Sequence, residues 1–513
     1  MSSMILVCRL FCDIGPRHLL GLPFVIKGWE TLSSFCHFML SPRSDRTSHL
    51  RRIQIAIQPT EDIVEALDDP DCLDVEIRDE YKTPEQRCAT LLAHVFKRAH
   101  LLRDVHIDDL ESLLFYSLDL IDEIAALPSL RSITVSGYSL RARQLLHSLS
   151  FPENVTHLGV HFGLTAPATE AEPSLPAFTF QALCGLLSRF PALTSLSLSH
   201  LNLSRLIFLP ATSQSSSPHA QLDPDDAPFP VPVLSTVRAL TLHRIIDPPL
   251  AALSLTFPHA RSVSLTNLVH TDVGALRVHN SVAPRWVALD TLAGDPLALV
   301  ALCVRGTRVG QVVLHAPPQC PRGVFVNCAR GVLEDACAAG VRLAFPVAHA
   351  PENRSADPWG AFKDIARECS EGTRAGIAHL ALELCAPLSE GQTLEIPDVS
   401  AFPALETLVV FLRRSNAPGT TLIHSDALSS GNFVEVLSPD TAGSENAVAT
   451  RVLMGLPSMK HFALCVPDAT RIRHWVKVAV DGTAGLQVVR EIDEVMGAEL
   501  LRRSNFGDLG TVA

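Results

Sequence analysis

The chain has 513 residues, which is longer than one compact hydrophobic core usually extends, so it is either multidomain or a repeat protein. Hydrophobic residues make up 47% and charged residues 19%, so a large core can form. A formal net charge of −12, with three tyrosines and four tryptophans, argues against a nucleic-acid-binding surface. No uncharged apolar run reaches the 18 residues of a membrane span, so neither nucleic acid nor membrane is expected as a partner.

Two short helices and a linker are predicted before the first strand-like segment. Apolar residues form one helix over 5–11 and a second over 29–40, and the polar, proline-containing stretch 41–45 is typical of a linker. We therefore predict a short all-helical segment over residues 1–44 and a repeat domain over residues 45–513.

The repeat domain is predicted from one pattern, an apolar triplet spaced as L-x-x-L-x-L. A short apolar motif that recurs at a loose period is typical of repeat proteins, whose units are too small to bury an apolar face alone and must stack. The triplets are Leu50/Ile53/Ile55, Leu102/Val105/Ile107, Leu130/Ile133/Val135, Val155/Leu158/Val160, Leu193/Leu196/Leu198, Val237/Leu240/Leu242, Ala260/Val263/Leu265, Val309/Val312/Leu314, Ile377/Leu380/Leu382, Leu405/Leu408/Val410 and Met459/Phe462/Leu464.

Amphipathic helices alternate with the triplets, so successive strands must be parallel, with the helices on one side. A phrase of the form F/L-P-x-L/M ends four helical stretches and leads into the next strand, because proline stops a helix. These features predict an α/β fold, an irregular solenoid of parallel strands and helices. The predicted helices are 84–102, 118–127, 180–190, 296–304 and 359–369, and the phrases begin at Leu127, Phe190, Phe402 and Leu456.

The triplets also predict which side chains face away from the helices. The last two apolar residues of each triplet should face the helix layer, and neighbouring strand residues should face outward. Two stretches interrupt the period and are predicted to be disordered insertions, 209–232 and 415–450. Residues 486–503 are predicted to form an amphipathic helix that caps the last repeat. The strand residues predicted to face away from the helices are Thr134, His157, Ser197, Thr241, Ser264, Ala381 and Val409.

Cysteine usage and the N-terminus predict a cytoplasmic or nuclear protein. The thirteen cysteines are an odd number and include no C-x-x-C pair, which favours free thiols in a reducing compartment over disulfides. The N-terminal apolar residues lack a preceding basic segment, so no signal peptide is expected.

Residues 6–11, with the F/L-P-x-L phrases, resemble the F-box and leucine-rich-repeat-like proteins abundant in mushroom-forming fungi. In that family an F-box of three helices comes first, and Leu6, Cys8, Arg9, Leu10 and Phe11 match its last helix. The L-P-x-E-L/I opening of the F-box is missing, so the resemblance covers its final third and, loosely, the repeats.

The resemblance implies a leucine-rich-repeat-like solenoid that binds protein partners. It also implies docking to the Skp adaptor of a cullin-type ubiquitin ligase, with Leu6, Leu10 and Phe11 in the adaptor-facing or F-box-core helix. The alternative is that these three residues cap the first repeat. The asparagine of the family's L-x-x-L-x-L-x-x-N repeat is absent, since Leu201 and Leu268 stand at that position.

No enzymatic motif accompanies the repeats. The sequence lacks G-x-G-x-x-G, G-x-x-x-x-G-K-[ST], G-x-S-x-G and H-E-x-x-H. The pairs Cys8/Cys12 and Cys36/His37 have no second pair at zinc spacing and are interpreted as core residues. We therefore predict no catalytic, metal or cofactor site. The predicted function is a non-enzymatic interaction scaffold, an F-box-type substrate receptor. The alternative is a structural repeat protein that has lost its F-box and has no ubiquitin role.

Overall fold

The structure is a computed structural model in which the chain divides into two compact units. The first unit contains residues 1–248 and 255–260, and the second contains residues 249–254 and 261–513. The residues that the structure describes are 20, 24–41, 45–57, 83–137, 140–162, 180–200, 233–245, 250–268, 272–317, 320–345, 358–386, 399–414, 449–450, 452–465, 472–479 and 487–504.

The first unit contains a sheet of seven described strands, each parallel to the next, with helices in the connections. Its strands are β1 (Phe24–Lys27), β2 (Arg52–Ala56), β3 (Asp104–Ile107), β4 (Ser132–Ser136), β5 (His157–His161), β6 (Ser195–Ser199) and β7 (Ala239–His243). Its helices are α1 (Trp29–Met39), α2 (Pro84–Arg98), α3 (Leu110–Tyr116), α4 (Asp119–Ala125), α5 (Leu140–Ser148) and α6 (Phe180–Leu187). Helix α7 (Leu250–Thr256) contains residues of both units.

The second unit continues the alternation of parallel strands and helices and ends differently. Strands β8 to β14 follow the parallel order, but β15 pairs antiparallel with β14, and β16 pairs antiparallel with β15. Its strands are β8 (Ser262–Thr266), β9 (Ala288–Gly294), β10 (Arg308–His315), β11 (Gly340–Phe345), β12 (His379–Ala386), β13 (Thr407–Arg414), β14 (His461–Cys465), β15 (Ile472–Ala479) and β16 (Gln487–Ile492). Its helices are α8 (Val273–Ser281), α9 (Pro296–Leu302), α10 (Arg322–Ala336), α11 (Pro358–Glu368), α12 (Glu371–Gly376) and α13 (Glu494–Arg503).

The register of the sheet confirms the predicted solenoid of parallel strands and helices. Ile133 of β4 lies opposite Leu158, which lies opposite Leu196, and that residue lies opposite Leu240. All four side chains are at most 2% exposed. Equivalent triplet residues therefore stack from one repeat to the next, and this continuous apolar layer is the core that a single repeat could not form.

The proline phrases form tight turns that bring the chain from a helix into the next strand. The amide of Leu193 donates to the carbonyl of Phe190 at 3.1 Å, and the amide of Leu405 donates to that of Phe402 at the same distance. The same bond joins Ala260 to Phe257, at a fifth phrase that sequence analysis did not recognise. The flanking apolar side chains are buried, so each phrase also contributes to the core.

The N-terminal segment differs from the all-helical prediction over the residues that are described. Strand β1 lies where only helices were predicted, pairs with β2, and buries Ile26 completely. The parallel sheet therefore includes a strand before residue 45. Phe24 and Ile26 are the register partners of Ile53 and Ile55, but Gly21 stands where the first apolar residue of a triplet would be, so the triplet pattern did not reveal this strand.

The C-terminal end also differs from the prediction of one helix over 486–503. Residues 487–492 form β16, and the helix α13 begins only after Asp493, whose side chain accepts the amide of Met496 at 2.9 Å. The apolar spacing of Val488, Val489 and Ile492 fits a helix, but β-branched residues favour a strand where a partner strand is available. In the described residues, no helix is both long and apolar enough to cross a membrane.

Candidate interaction surface

The strands of the first unit pack one face against helices and carry polar side chains on the other. In β6, Leu196 and Leu198 are completely buried, whereas Ser197 between them is partly exposed. We call the polar face of β2–β7 the open face. Five steps of ~4.8 Å between neighbouring strands make it about 24 Å wide. Its central row, in register across the six strands, is Gln54, His106, Thr134, Gly159, Ser197 and Thr241.

The outward residues predicted for the first unit lie on this face. Thr134 and Ser197 are partly exposed, and His157 and Thr241 are exposed. Ser264, in β8 of the second unit, is also partly exposed. The alternation of the triplets was therefore sufficient to place these five side chains.

Four histidines gather at the carboxyl ends of the strands that form the open face. His106 lies on β3, His161 ends β5, His243 ends β7, and His200 follows β6. We call these four residues the histidine cluster. The imidazole ring centroids of His200 and His243 lie 5.9 Å apart, in an edge-to-face arrangement.

Ser199 links two of these histidines. Its Oγ lies 2.7 Å from Nδ1 of His161 and 3.1 Å from Nδ1 of His200. On the other side of the cluster, Nε2 of His106 lies 2.5 Å from Oδ1 of Asp108. Ser199 therefore joins His161 and His200 into one hydrogen-bonded network, and His106 forms a separate pair with Asp108.

The network keeps two of its imidazoles mostly uncharged at neutral pH. Burial lowers the pKa of His161, and positive charge on His106, His200 and His243 lowers it further, although the Asp108 carboxylate acts in the opposite direction. Burial also lowers the pKa of His200, together with the neighbouring Arg244 and His243. As the pH falls, the cluster gains positive charge and becomes more attractive to acidic groups.

Tight turns place His200 and Arg244 at the edge of the open face. Both residues have left-handed backbone conformations directly after a strand, with φ of 59° and 50°. The amide of His200 donates to the carbonyl of His243 at 2.9 Å, which holds the two turns together. Nη1 of Arg244 lies 3.5 Å from Nε2 of His200, so the guanidinium borders the histidine cluster.

The arrangement does not resemble a hydrolase or metal centre. Ser199 is completely buried, so its hydroxyl cannot attack a substrate, and Asp108 bonds His106 rather than His161. The relay of serine, histidine and carboxylate is therefore not assembled. Within the described residues, no three His, Cys, Asp or Glu side chains are placed to hold a metal ion.

Sequence analysis did not single out the histidine cluster, although a signal was present. His161, Ser199 and His243 each come directly after the last apolar residue of a triplet. Because the triplets stack in register, residues at this position must become neighbours across the sheet. Comparison of this one position among the repeats would have grouped them.

The same face of the second unit is covered at β12–β14. Ala381, Val409 and Ala463 are register partners on these strands, and all three are completely buried. They form an apolar cluster with Phe411 and with Leu501 of α13. Ala381 and Val409 therefore lie on the predicted outward face of the strands, but they are buried there, because the C-terminal helix packs over them.

Helix α13 approaches the sheet closely over two buried histidines. Nε2 of His461 lies 3.2 Å from Nδ1 of His474, and the rings are stacked. A Cβ atom on Gly497 of α13 would lie 2.1 Å from Cγ of His474, so only glycine fits there. At the end of the helix, the hydroxyls of Thr407 and Ser504 lie 3.3 Å apart.

Several predicted features lie outside the described residues. They include the F-box candidates Leu6, Leu10 and Phe11, the insertion at 209–232, and residues 415–448 of the second insertion. The nine described cysteines are free thiols.

No protein-family model and no curated protein matches the sequence. Solved structures with a detectable likeness include that of the yeast Rad7 and Elc1 complex, with 14% identity and a TM-score of 0.29, covering 82% of this chain and 95% of the other. An LRR protein of Leptospira interrogans shows 12% identity and a TM-score of 0.23, covering 70% and 78%. An internalin of Listeria monocytogenes shows 10% identity and a TM-score of 0.24, covering 71% and 81%.

Proposed function

We propose that the protein is a non-enzymatic interaction scaffold that binds a protein partner on the open face of its first unit. The observation that carries this proposal is the in-register row of β2–β7, in which Gln54, His106, Thr134 and Ser197 are partly exposed and Thr241 is exposed. The histidine cluster borders this row. A face about 24 Å wide accommodates an extended segment or a helix of a partner, since an α-helix with its side chains is about 10–12 Å across.

The chemistry of the open face favours a polar, acidic partner segment. The carboxylates on its strands are already engaged, since Asp104 pairs with Arg52 at 2.8 Å and Asp108 bonds His106. Arg244 is exposed beside the histidine cluster. Hydroxyl and imidazole groups provide hydrogen bonds, which give specificity more than affinity.

A photo-crosslinking experiment tests where the partner binds. A photoreactive residue replaces Thr241, on the open face, and the matched control replaces Gln144, which is exposed on the helix α5. We expect one crosslinked partner from position 241 and none from 144, and we expect Thr241→Glu, but not Gln144→Glu, to abolish capture, because a carboxylate repels an acidic segment. Equal crosslinking from both positions would contradict an open-face interaction.

The finer proposal is that the scaffold is an F-box-type substrate receptor of a cullin ubiquitin ligase. The match of Leu6, Leu10 and Phe11 to the last F-box helix supports it. Co-purification with the Skp adaptor is the test, and binding that is lost in the double variant Leu10→Asp/Phe11→Asp would support the receptor. No binding by the chain, with or without an added upstream F-box sequence, would leave a scaffold with no ubiquitin role.

A further inference from the structure

A second polar feature of the first unit lies at the opposite ends of its strands from the histidine cluster. A recess opens there between the chain entering β4 and the short 3-10 helix Pro152–Asn154 before β5. The polar residues that line it are Arg103, Ser129, Arg131, Glu153, Asn154 and Thr156.

The repeat places two arginines side by side in this recess. The carbonyl of Arg103 accepts the amide of Arg131 at 2.8 Å, and the carbonyl of Arg131 accepts the amide of Thr156 at the same distance. Arg103 and Arg131 thus hold equivalent positions in successive repeats, and their Cα atoms are about one strand spacing, ~4.8 Å, apart. Like charges at neighbouring positions repel, so a bound anion would stabilise this arrangement.

Neighbouring arginines at this edge have partners within the protein. Arg52 pairs with Asp104, Arg51 donates to the carbonyl of Leu101 at 3.4 Å, and Arg238 donates to that of His259 at 3.1 Å. By contrast, the guanidinium groups of Arg103 and Arg131 form no ion pair or hydrogen bond with another described residue, and both residues are exposed. Their guanidinium groups are available to a ligand.

Hydrogen-bonding groups complete the walls of the recess. Ser129 contributes a hydroxyl, whereas the hydroxyl of Thr156 donates to the carbonyl of Arg131 at 3.2 Å. The side-chain amide of Asn154 donates to the carbonyl of Pro128 at 3.0 Å, which fixes the rim. Glu153 is the one carboxylate in the lining, and it forms no ion pair with either arginine. It opposes anion binding and provides a way to test the charge of the site.

We propose that this recess binds a phosphate group through Arg103 and Arg131. Two guanidinium groups can each form paired N–H···O bonds with a phosphate, which offers them more acceptor oxygens than the two of a carboxylate. The ligand is inorganic phosphate or the phosphate of a phosphorylated residue. This site is separate from the open face and does not depend on the function proposed there.

Isothermal titration calorimetry at constant ionic strength tests the site on the full chain. The probes are inorganic phosphate, acetate, and an acetyl-Gly-phosphoserine-Gly-amide peptide with its unphosphorylated counterpart. We expect one phosphate site that is weakened about tenfold or more by Arg103→Gln or Arg131→Gln and lost in the double variant. Glu153→Gln should tighten binding several-fold, as expected when a like charge is removed.

Arg238→Gln is the matched control, because that arginine lies at the same edge but donates to His259 within the protein. It should leave phosphate affinity unchanged, and circular dichroism should show that every variant is folded. Three results would overturn the proposal. They are unchanged phosphate binding in the double variant, a loss of phosphate affinity in Arg238→Gln equal to that in the recess variants, and acetate binding as tight as phosphate binding. If the phosphopeptide binds more tightly than inorganic phosphate, the ligand is a phosphorylated chain. If the phosphopeptide binds more weakly, the ligand is the free ion. Either result supports a phosphate site.

Discussion

The face of the sheet opposite the helices is open in the first unit and covered at β12–β14 of the second. In the first unit its central row carries residues such as Thr134 and Ser197, and in the second it carries Ala381, Val409 and Ala463. These side chains are of similar size and differ mainly in polarity. The small apolar residues allow α13 to pack against the strands, and the hydroxyl-bearing residues keep the other face hydrated.

One repeat geometry can therefore produce either a binding surface or a buried interface. The choice depends on the residues that alternate with the triplet, because successive strand residues point to opposite faces. The triplets themselves are equally buried in both units, since Leu196 and Leu408 are both completely buried. Stability and binding are therefore encoded at alternate positions of the same strand.

Paired alanine substitutions should show this difference most strongly. Leu196→Ala should lower the free energy of unfolding by about 2–5 kcal/mol, because a buried leucine is removed. Ser197→Ala should change it little. In the second unit, Leu408→Ala and Val409→Ala should both destabilise, the latter by about 1.5 kcal/mol or more at ~0.8 kcal/mol per buried methylene.

Urea unfolding of the four variants, followed by circular dichroism, measures these changes. If Ser197→Ala lowered the free energy of unfolding as much as Leu196→Ala, both faces of β6 would be buried. If Val409→Ala did not lower it, α13 would not cover β13.

The buried histidines under α13 should make the second unit sensitive to acid. Burial lowers the pKa of His461 to about 3, and its neighbour His474 adds to the shift; burial lowers the pKa of His474 itself to about 4, against the opposing charge of Asp493. Both values lie below that of an unfolded histidine, ~6.5, so the unfolded chain binds more protons. Stability is therefore fully present above pH ~6.5 and is lost as the pH falls towards 4 and then 3.

Each histidine should contribute about 1.4 kcal/mol per pH unit in that window, which is about 4 kcal/mol for the pair between pH 6.5 and 5. Urea titrations at several pH values, read by the fluorescence of Trp475, which stacks on Phe462, provide the measurement. His474→Gln should reduce the slope of the free energy of unfolding against pH. His157→Gln, on the open face, should not reduce it. Parallel slopes for the wild type and His474→Gln would contradict this prediction.

The close approach of α13 to β15 gives a smaller test of the covered face. Gly497→Ala should destabilise by about 1–3 kcal/mol, because the added methyl group overlaps the ring of His474. Limited proteolysis should then cut α13 faster. The control is Gly372→Ala in helix α12, where no atom lies within 4 Å of the added Cβ. This control should be neutral or should stabilise the protein by about 0.5–1 kcal/mol. An equal loss of stability in both variants would exclude a specific contact between residue 497 and His474.

The smallest effect is expected on the open face itself. Thr241→Arg should change the free energy of unfolding by less than about 0.5 kcal/mol, because its exposed side chain has room for a longer one. Differential scanning calorimetry compares this variant with the wild type. A clear drop in melting temperature would indicate that another part of the protein covers this face.

Much of the repeat fold was predictable because its signal is local. The spacing of the triplets predicted the strands, and the spacing of three and four predicted helices such as α1, α2 and α11 close to their observed bounds. Strand β11 was missed although Ala338, Val341 and Leu343 have the triplet spacing. Strands β1 and β9 have only two apolar residues of a triplet, because glycine stands at the remaining place, at Gly21 and Gly294. Strand β16 has an apolar spacing that fits a helix as well as a strand.

The candidate site was predictable only in part. The outward positions Thr134, Ser197 and Thr241 followed from alternation, since that property belongs to a single strand. The histidine cluster did not follow, because its members come from four different repeats and meet only when the strands stack in register.

The parallel strands, the helix layer and the core between them follow from local sequence alone, because an apolar residue at every second strand position requires burial on one side. Which outward faces remain exposed depends on contacts between distant parts of the chain. Leu501 covers Ala381 and Val409 across more than ninety positions of sequence, and no periodicity within a repeat encodes such a contact. Its cause is the apolar surface that the last strands leave open and that the amphipathic C-terminal helix can bury.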